Sequence, residues 1–193
     1  TKERFSNINL KVLETFSKIW PEVSLGLSDH THGDLTVLGA VGLYNCSAVE
    51  KHFTLDNTKI GQDHSFSMMP DEWLSMVENT ETLKKEIKKS DSFKERCQKI
   101  KNIAKDGEFL DLIIGDGVKK LSENEESTVI VQRRSIRAKR DLSAGIIITN
   151  EDLEVLRPCP KDAFPPYKKN KIIGKKLKKD LPKGDYFTQT DLD

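Results

Sequence analysis

The sequence predicts an α/β unit followed by a small, mostly β domain. In the first part, helix-like and strand-like segments alternate in the order helix, strand, loop, helix, strand, which is typical of βα units and a parallel sheet. The polar, acidic run "SENEEST" at 122–128 then indicates a linker. Beyond it come short β-branched runs separated by turn residues. We therefore predict one domain at 1–122 and a second at 123–193.

The first three segments are read from apolar spacing and from proline. A helix is predicted over 10–20, where apolar residues recur at helical spacing and Pro21 ends the run. A short apolar run predicts a strand over 23–27. The next stretch, "SDHTHG" at 28–33, is predicted to be a loop.

The following segments complete the α/β pattern. Small and apolar residues over 35–43 predict a tightly packed helix, and 48–53 predicts a second strand. A further helix is predicted to begin at Pro70, because proline suits a first turn and Asp71 and Glu72 lie near its positive end. The lysine-rich sequence that continues from this helix predicts a solvated helical face.

An internal repeat marks the second domain. The segment 140–153 is matched thirty-nine residues later by 179–192. Each copy has a basic residue followed by Asp-Leu, a turn glycine, a short strand, and a threonine with an aspartate three residues on. We predict that these threonines cap short helices and that the aspartates complete capping boxes. The four residues are Thr149, Asp152, Thr188 and Asp191.

Composition excludes several classes of protein. The formal net charge is only +1, so no long-range field drives the whole molecule onto nucleic acid or a membrane. The basic runs "QRRSIRAKR" and "KKNKIIGKKLKK" lack interleaved aromatic residues, which favours a solvated β surface over a nucleic-acid interface. The cysteines lack CxxC spacing, which predicts reduced thiols, no zinc knuckle and a cytoplasmic location. They are Cys46, Cys97 and Cys159.

Two of the four histidines lie at or just past the ends of consecutive predicted strands. His30 follows the first predicted strand, and His52 lies at the end of the second. If the strands are parallel, their carboxyl ends meet at one edge, and the two rings come close enough to share one ion. Neutral imidazole suits Mn²⁺, Co²⁺ or Zn²⁺. Packing or chance is the competing explanation that spacing alone leaves open.

Six motifs in order resemble the N-acylneuraminate (sialic acid) synthase family, which includes legionaminate and pseudaminate synthases. They are "GLSDHTHG", "AVEKHFTLD", "GQDHSFSMMPDEW", "QRRSIRAKRDLSAG", "EVLRPCP" and "IIGKKLKKDLPKGDYFT". The resemblance implies the C-terminal portion of a TIM (β/α)8 barrel followed by a SAF (antifreeze-like) β-clip domain. It departs from the family at Gln62, where proline is usual, and in an apparent helical insertion at 81–109.

The resemblance also implies an activity. Enzymes of the family condense phosphoenolpyruvate with an N-acylated amino sugar such as N-acetylmannosamine and release phosphate. They use a divalent metal ion (Mn²⁺, Mg²⁺ or Co²⁺), and they form domain-swapped homodimers. On this resemblance the chain corresponds to the part of the barrel after the sixth strand, together with the SAF domain.

Five residues of this chain match functional positions of the family. His30 and His52 are implied to be catalytic metal ligands. Ser28 is implied to donate a hydrogen bond to a carboxylate or phosphate, and Asp63 to bind hydroxyls of the amino sugar. Arg157 is implied to enter the partner subunit's barrel and contact the N-acyl group, which suits its planar, always charged guanidinium.

Each of these residues also has an ordinary structural explanation. Ser28 could cap a turn, Asp63 could form an Asx turn, and Arg157 could be an extended surface residue before a proline. Glu50 shares strand parity with His52, so its side chain is expected to point to the same side. For the whole chain, the alternative to a synthase is a non-catalytic sugar-binding or dimerisation module.

Overall fold

The computed structural model describes residues 5–122 and 125–193. It divides between Lys120 and Leu121 into two compact units. We call the part before this division the βα unit and the part after it the repeat unit. Residues 1–4 of the first predicted domain and residues 123–124 of the predicted linker lie outside the described residues.

In the βα unit, a first helix is followed by two strands that a second helix connects. Helix α1 spans Val12–Ile19, strand β1 Gly26–Asp29, helix α2 Leu35–Tyr44 and strand β2 Ala48–Lys51. The strands pair in parallel, in the register that sets the first residue of β1 opposite the first residue of β2 and the last opposite the last. The predicted order of helix, strand, loop, helix and strand is confirmed.

Strand β1 lies further along the chain than predicted. The sequence predicted a strand over 23–27, but the strand is Gly26–Asp29. The reason is a turn at the end of α1, in which the Val23 N–H donates to the Trp20 carbonyl at 3.1 Å. Val23 is accordingly 56 % exposed. The predicted loop therefore begins only after Asp29.

Three more α-helices follow in the described part of the βα unit. Helix α3 spans Pro70–Glu86, α4 Phe93–Ile103 and α5 Leu110–Ile114. The predicted start of α3 at proline is confirmed, and the Met69 N–H at its cap donates to Glu72 Oε2 at 2.9 Å. Such caps satisfy N–H groups that a helix leaves free at its start.

Helix α2 lies at the centre of the core of the βα unit. A Cβ added at Gly39 would lie 2.6 Å from Leu10 Cδ1, and one at Gly42 would lie 3.0 Å from side chains of α3 and α4. The predicted tight packing of this helix is confirmed, because these glycines let neighbouring side chains approach its backbone. The buried apolar residues of this core include Phe5, Leu10, Leu13, Leu35, Leu38, Leu83, Ile100, Leu110 and Ile113.

The described part of the repeat unit has one α-helix, several short 3₁₀ helices and a small antiparallel pair of strands. Helix α6 spans Glu126–Gln132, β3 Ser135–Ala138 and β4 Leu153–Leu156. The expectation of a linker over 122–128 is therefore wrong at its end, where α6 begins. The polar run supplies helix-start chemistry instead: Glu125 Oε2 accepts from the Ser122 N–H at 3.0 Å.

The predicted repeat is confirmed in three dimensions. The Leu142 N–H donates to the Leu181 carbonyl at 2.9 Å, and the Leu181 N–H donates back at 2.8 Å. Asp180 accepts from the Ala144 N–H at 2.7 Å, and the equivalent Asp141 accepts from the Lys183 N–H at 2.8 Å. The two copies thus pair reciprocally. Both predicted capping boxes form, with distances of 2.7–2.9 Å between each threonine and its aspartate.

The two capping aspartates are buried and stay ionised. Burial alone would raise the pKa of Asp152, but hydrogen bonds from its threonine and from Arg140 outweigh burial and lower it. The pKa of Asp191 is lowered in the same way, by Lys179 and by its own threonine. Lys179 Nζ forms an ion pair with Asp191 Oδ1 at 2.8 Å.

No helix in the described part of the chain is both long enough and apolar enough to cross a membrane.

Candidate metal centre

The two predicted ligand histidines meet at the carboxyl ends of β1 and β2. His30 directly follows β1 and His52 directly follows β2, and the parallel register aligns those ends. Their Nε2 atoms lie 3.2 Å apart, and their ring planes are 83° to one another with centroids 4.7 Å apart. The structure therefore brings together two side chains that are twenty-two residues apart in the sequence.

The geometry of this pair fits a shared ion. The two Nε2 atoms are 3.2 Å apart. An ion about 2.1 Å from each of them would therefore have a nitrogen–ion–nitrogen angle of about 100°. That angle lies between the octahedral and tetrahedral values. Among residues 5–122 and 125–193, no group of three or more His, Cys, Asp or Glu side chains could hold a metal. This pair would supply two ligands and leave the others to water or substrate oxygen.

Phe66 supports both rings. It lies in a short 3₁₀ helix, His64–Phe66, that precedes α3. Its ring stacks on His30 at 5.3 Å and meets His52 edge-on at 5.0 Å. An apolar ring against two imidazoles limits their rotation and keeps water from one side of the pair.

Asp63 approaches the histidine pair from the side opposite to the paired Nε2 atoms. Its Oδ2 lies 4.0 Å from His52 Nδ1, which is too long for a direct hydrogen bond. The side chain is 61 % exposed. It is therefore free to accept hydrogen bonds from a ligand that reaches the pair.

A buried polar cluster lies directly behind the pair. Lys51 Nζ contacts Asp29 Oδ2 at 2.6 Å, and both side chains are 1 % exposed. The same carboxylate accepts from the Thr31 N–H and hydroxyl, each at 2.9 Å, and from the Thr36 hydroxyl. Because Asp29 and Lys51 are in strand register with each other, their contact links the last residues of the two strands.

The other polar residues near the pair have separate places. Ser28 and Glu50 lie opposite each other on β1 and β2 and are both exposed. His32 Nε2 contacts the Ser65 carbonyl at 3.3 Å, and His64 Nδ1 contacts Thr54 at 2.8 Å. Neither of these histidines contributes to the pair.

Arg157 lies in the repeat unit, directly after β4. It is exposed and is followed by a cis peptide bond to Pro158. The Pro158 carbonyl accepts from Ser135 Oγ at 2.7 Å and from Arg137 Nη2 at 2.9 Å. Side chains of β3 thus hold the turn that carries Arg157.

Sequence reasoning missed Phe66, Asp29 and Lys51. The two charged residues did carry a signal, since each directly precedes a predicted ligand histidine and has the opposite strand parity. Opposite parity directs them to the covered face, where charges need a partner. Phe66 gave no comparable signal, because it contacts the pair only through the turn that follows β2.

Two family models match the chain. Residues 3–92 match the NeuB family and residues 133–193 match the SAF domain. The candidate metal centre lies within the NeuB match. The resemblance predicted from the motifs is therefore confirmed.

Several relatives of the chain are named as synthases. The chain is 33% identical over 180 residues to the N,N'-diacetyllegionaminic acid synthase of Legionella pneumophila, covering 93% of this chain and 42% of that protein. It is 26% identical over 171 residues to human N-acetylneuraminate-9-phosphate synthase, covering 89% of this chain and 40% of that protein. The chain thus spans about two fifths of the length of these relatives.

A solved structure shares the fold of this chain. It is that of the spore coat polysaccharide biosynthesis protein SpsE of Bacillus subtilis, with a TM-score of 0.70 and 24% sequence identity. The match covers 97% of this chain and 49% of that one. The prediction of α/β structure followed by a SAF domain is confirmed, whereas membership of a closed barrel remains a prediction.

Proposed function

We propose that this chain carries the metal-binding end of a nonulosonic (sialic) acid synthase. The proposed reaction condenses phosphoenolpyruvate with an N-acylated amino sugar, such as N-acetylmannosamine, and releases phosphate. The observation that carries the proposal is the 3.2 Å separation of the His30 and His52 Nε2 atoms at the ends of two parallel strands. In TIM barrels, catalytic groups lie at the same ends of the strands. The names of the relatives support this choice of reaction.

The net reaction defines what the residues have to do. C3 of phosphoenolpyruvate bonds to the aldehyde carbon of the sugar, water adds at C2, and the bond from C2 to the phosphate oxygen breaks. His30 and His52 would hold Mn²⁺, Mg²⁺ or Co²⁺, which as a Lewis acid polarises the aldehyde oxygen. Phe66 would keep the two rings oriented and exclude water from their apolar side.

Two further side chains of the βα unit would orient the substrates. Ser28, exposed on β1 two residues before His30, would donate a hydrogen bond to the carboxylate or phosphate of phosphoenolpyruvate. Asp63, largely exposed and close to His52, would accept hydrogen bonds from sugar hydroxyls. Holding both substrates against one pair of ligands lowers the entropic cost of bringing them together.

Recognition of the N-acyl group is assigned to the partner subunit's Arg157. This part of the proposal rests on the family resemblance and on the exposure of Arg157 after β4. It requires a homodimer in which each SAF domain serves the other subunit. The alternative is a non-catalytic sugar-binding or dimerisation module.

Metal binding by histidine variants tests the proposal. We expect titration with Mn²⁺ or Co²⁺ to show one site per chain, and His30→Ala or His52→Ala to lose it. His32→Ala is the matched control, because this histidine lies in the same loop but contacts the Ser65 carbonyl instead. Binding that persists unchanged in His52→Ala would overturn the proposed site.

Phosphate release separates the synthase from the non-catalytic module. The protein is incubated with phosphoenolpyruvate, N-acetylmannosamine and Mn²⁺, and inorganic phosphate is measured. Metal-dependent release that His52→Ala abolishes and more sugar does not rescue supports the synthase. Sugar binding with no phosphate release favours the module. The DNA upstream of the codon for Thr1 provides an independent test, since a synthase gene encodes six more βα units there.

A further inference from the structure

The buried pair of Asp29 and Lys51 has no substrate-binding role in the proposed reaction. Both side chains are only 1 % exposed, so neither reaches a ligand at the histidine pair. We propose that this ion pair is a positioning device: it fixes the ends of β1 and β2 so that His30 and His52 present their Nε2 atoms to one ion. The inference rests on the proposed function and extends it to residues that never touch substrate.

The pair fixes the two strand ends relative to each other. Asp29 and Lys51 are the last residues of their strands and are in register, and their charged atoms are 2.6 Å apart. His30 and His52 are the next residues in each chain segment. A change in this contact therefore moves both histidines directly.

His30 is held from both sides. The residue before it, Asp29, accepts through Oδ1 from the Thr31 N–H at 2.9 Å. The residue after it, Thr31, accepts through its carbonyl from Lys51 Nζ at 2.5 Å. The backbone at His30 is thus held by a closed cycle of contacts that includes Lys51 of β2. Thr36, in the first turn of α2, donates to the Asp29 carboxylate and so connects this cycle of contacts to the central helix.

An apolar pair would fill the same space without this directional constraint. Replacing a buried ion pair by apolar residues of similar size is often neutral or stabilising, so stability alone does not explain charges here. Hydrogen bonds to a buried carboxylate have defined directions, and residues that orient metal ligands typically change metal affinity about 10–100-fold when mutated. Asp29 and Lys51 lie directly behind the two proposed ligand histidines, where directional contacts can set the orientation of both imidazole rings.

A neutral double variant tests the inference in the full chain. Asp29→Asn with Lys51→Met removes both charges while keeping the side-chain sizes. The matched control is Asp91→Asn with Lys99→Met, which neutralises another ion pair of the βα unit, 2.5 Å long and partly buried, that contacts neither histidine. Two measurements are made: Co²⁺ affinity with its visible absorption spectrum, and the ¹⁵N shifts of the His30 and His52 rings without metal.

We expect the double variant to unfold cooperatively, to bind Co²⁺ at least about tenfold more weakly and to show shifted ring signals. The control variant should match the wild type in both measurements. If the double variant folds and keeps wild-type Co²⁺ affinity and ring signals, the positioning role is wrong.

Two further outcomes are also decisive. If the wild type binds no Co²⁺, the metal-binding part of the proposed function is wrong. The ¹⁵N shifts of the two histidine rings still test the positioning role. If the double variant does not fold, Thr36→Val replaces it, since this change removes one hydrogen bond to Asp29 and keeps the volume. Shifted ring signals in Thr36→Val support the inference, and unchanged signals overturn it.

Discussion

Both units bury aspartates, but they neutralise them differently. In the βα unit, Asp29 meets a lysine that is itself 1 % exposed. In the repeat unit, Asp152 and Asp191 meet Arg140 and Lys179, whose side chains are 64 % and 65 % exposed. The repeat unit also uses the same arrangement twice. Among residues 5–122 and 125–193, one ion pair has both side chains fully buried, and it lies beside the candidate metal centre. The two pairs of the repeat unit instead have cations that reach solvent.

The largest expected effect comes from breaking the fully buried pair on one side only. Lys51→Met leaves the Asp29 carboxylate buried without its cation, which should lower the free energy of unfolding by about 3–5 kcal/mol. Urea unfolding followed by tryptophan fluorescence measures this, because both tryptophans are in the βα unit. Lys179→Met, followed through amide signals of the repeat unit, is the control, and losing its exposed ammonium should have far less effect. Equal losses in the two variants would remove the distinction between the units.

The next effect concerns how the units divide the proposed site. The βα unit carries the histidines and the repeat unit carries Arg157. Arg157→Ala should lower the specificity constant for the amino sugar roughly ten- to hundredfold, equivalent to about 1.5–3 kcal/mol, because a charge-assisted hydrogen bond is lost. Binding of metal and phosphoenolpyruvate should remain. Steady-state kinetics of phosphate release checks this in the complete enzyme.

Mixing variants sharpens the same prediction. Chains with Arg157→Ala and chains with His52→Ala, mixed under conditions that exchange subunits, should form heterodimers with one complete site and recover activity. If mixing restores nothing, Arg157 acts within its own chain or has no role.

A smaller effect tests the equivalence of the two repeat copies. Thr149→Ala and Thr188→Ala each remove a hydroxyl that donates to its aspartate at 2.7–2.8 Å. Each change should lower the free energy of unfolding by about 1 kcal/mol, the usual effect of losing a helix cap. Thermal unfolding of both variants compares them. A loss confined to one variant would show that the copies, although alike in geometry, differ in their contribution to stability.

The smallest expected effect is a loss of stability of the repeat unit at acidic pH. The pKa values of Asp152 and Asp191 are lowered in the folded chain. Their stabilisation is therefore complete above the unfolded value of about 3.9 and is lost as the pH falls through the lowered folded values. Urea unfolding followed through amide signals of the repeat unit should show decreasing stability below about pH 4. Asp152→Asn with Asp191→Asn should flatten this dependence.

Local patterns predicted the parts of the fold that short-range chemistry decides. Helix α2 follows from small apolar residues, and α3 begins at Pro70 because proline and acidic residues favour a helix start. The start of β1 was misplaced because the turn at Val23 depends on the carbonyl of Trp20, directly after α1. The start of α6 at Glu126 was missed because a polar run suits both a linker and a helix cap.

The candidate site was predictable where register alone decides it. His30 and His52 each follow a strand, so parallel pairing was sufficient to predict that they meet. Phe66 was not predictable, because its contact with both rings depends on the path of the turn after β2. The Asp29 and Lys51 pair required the direction of each side chain as well as the register.

The reciprocal pairing of the two repeat copies affects how the repeat unit folds. Its cross-copy hydrogen bonds join residues 36 and 42 positions apart, and Arg137 reaches the Gly184 carbonyl across 47 positions. A chain with such contacts loses loop entropy before it gains any of them, and domains of this kind fold on the order of milliseconds to seconds. Half of the unit, synthesised alone, has no partner for its central backbone groups. The first copy therefore stays unpaired until the second copy has been synthesised.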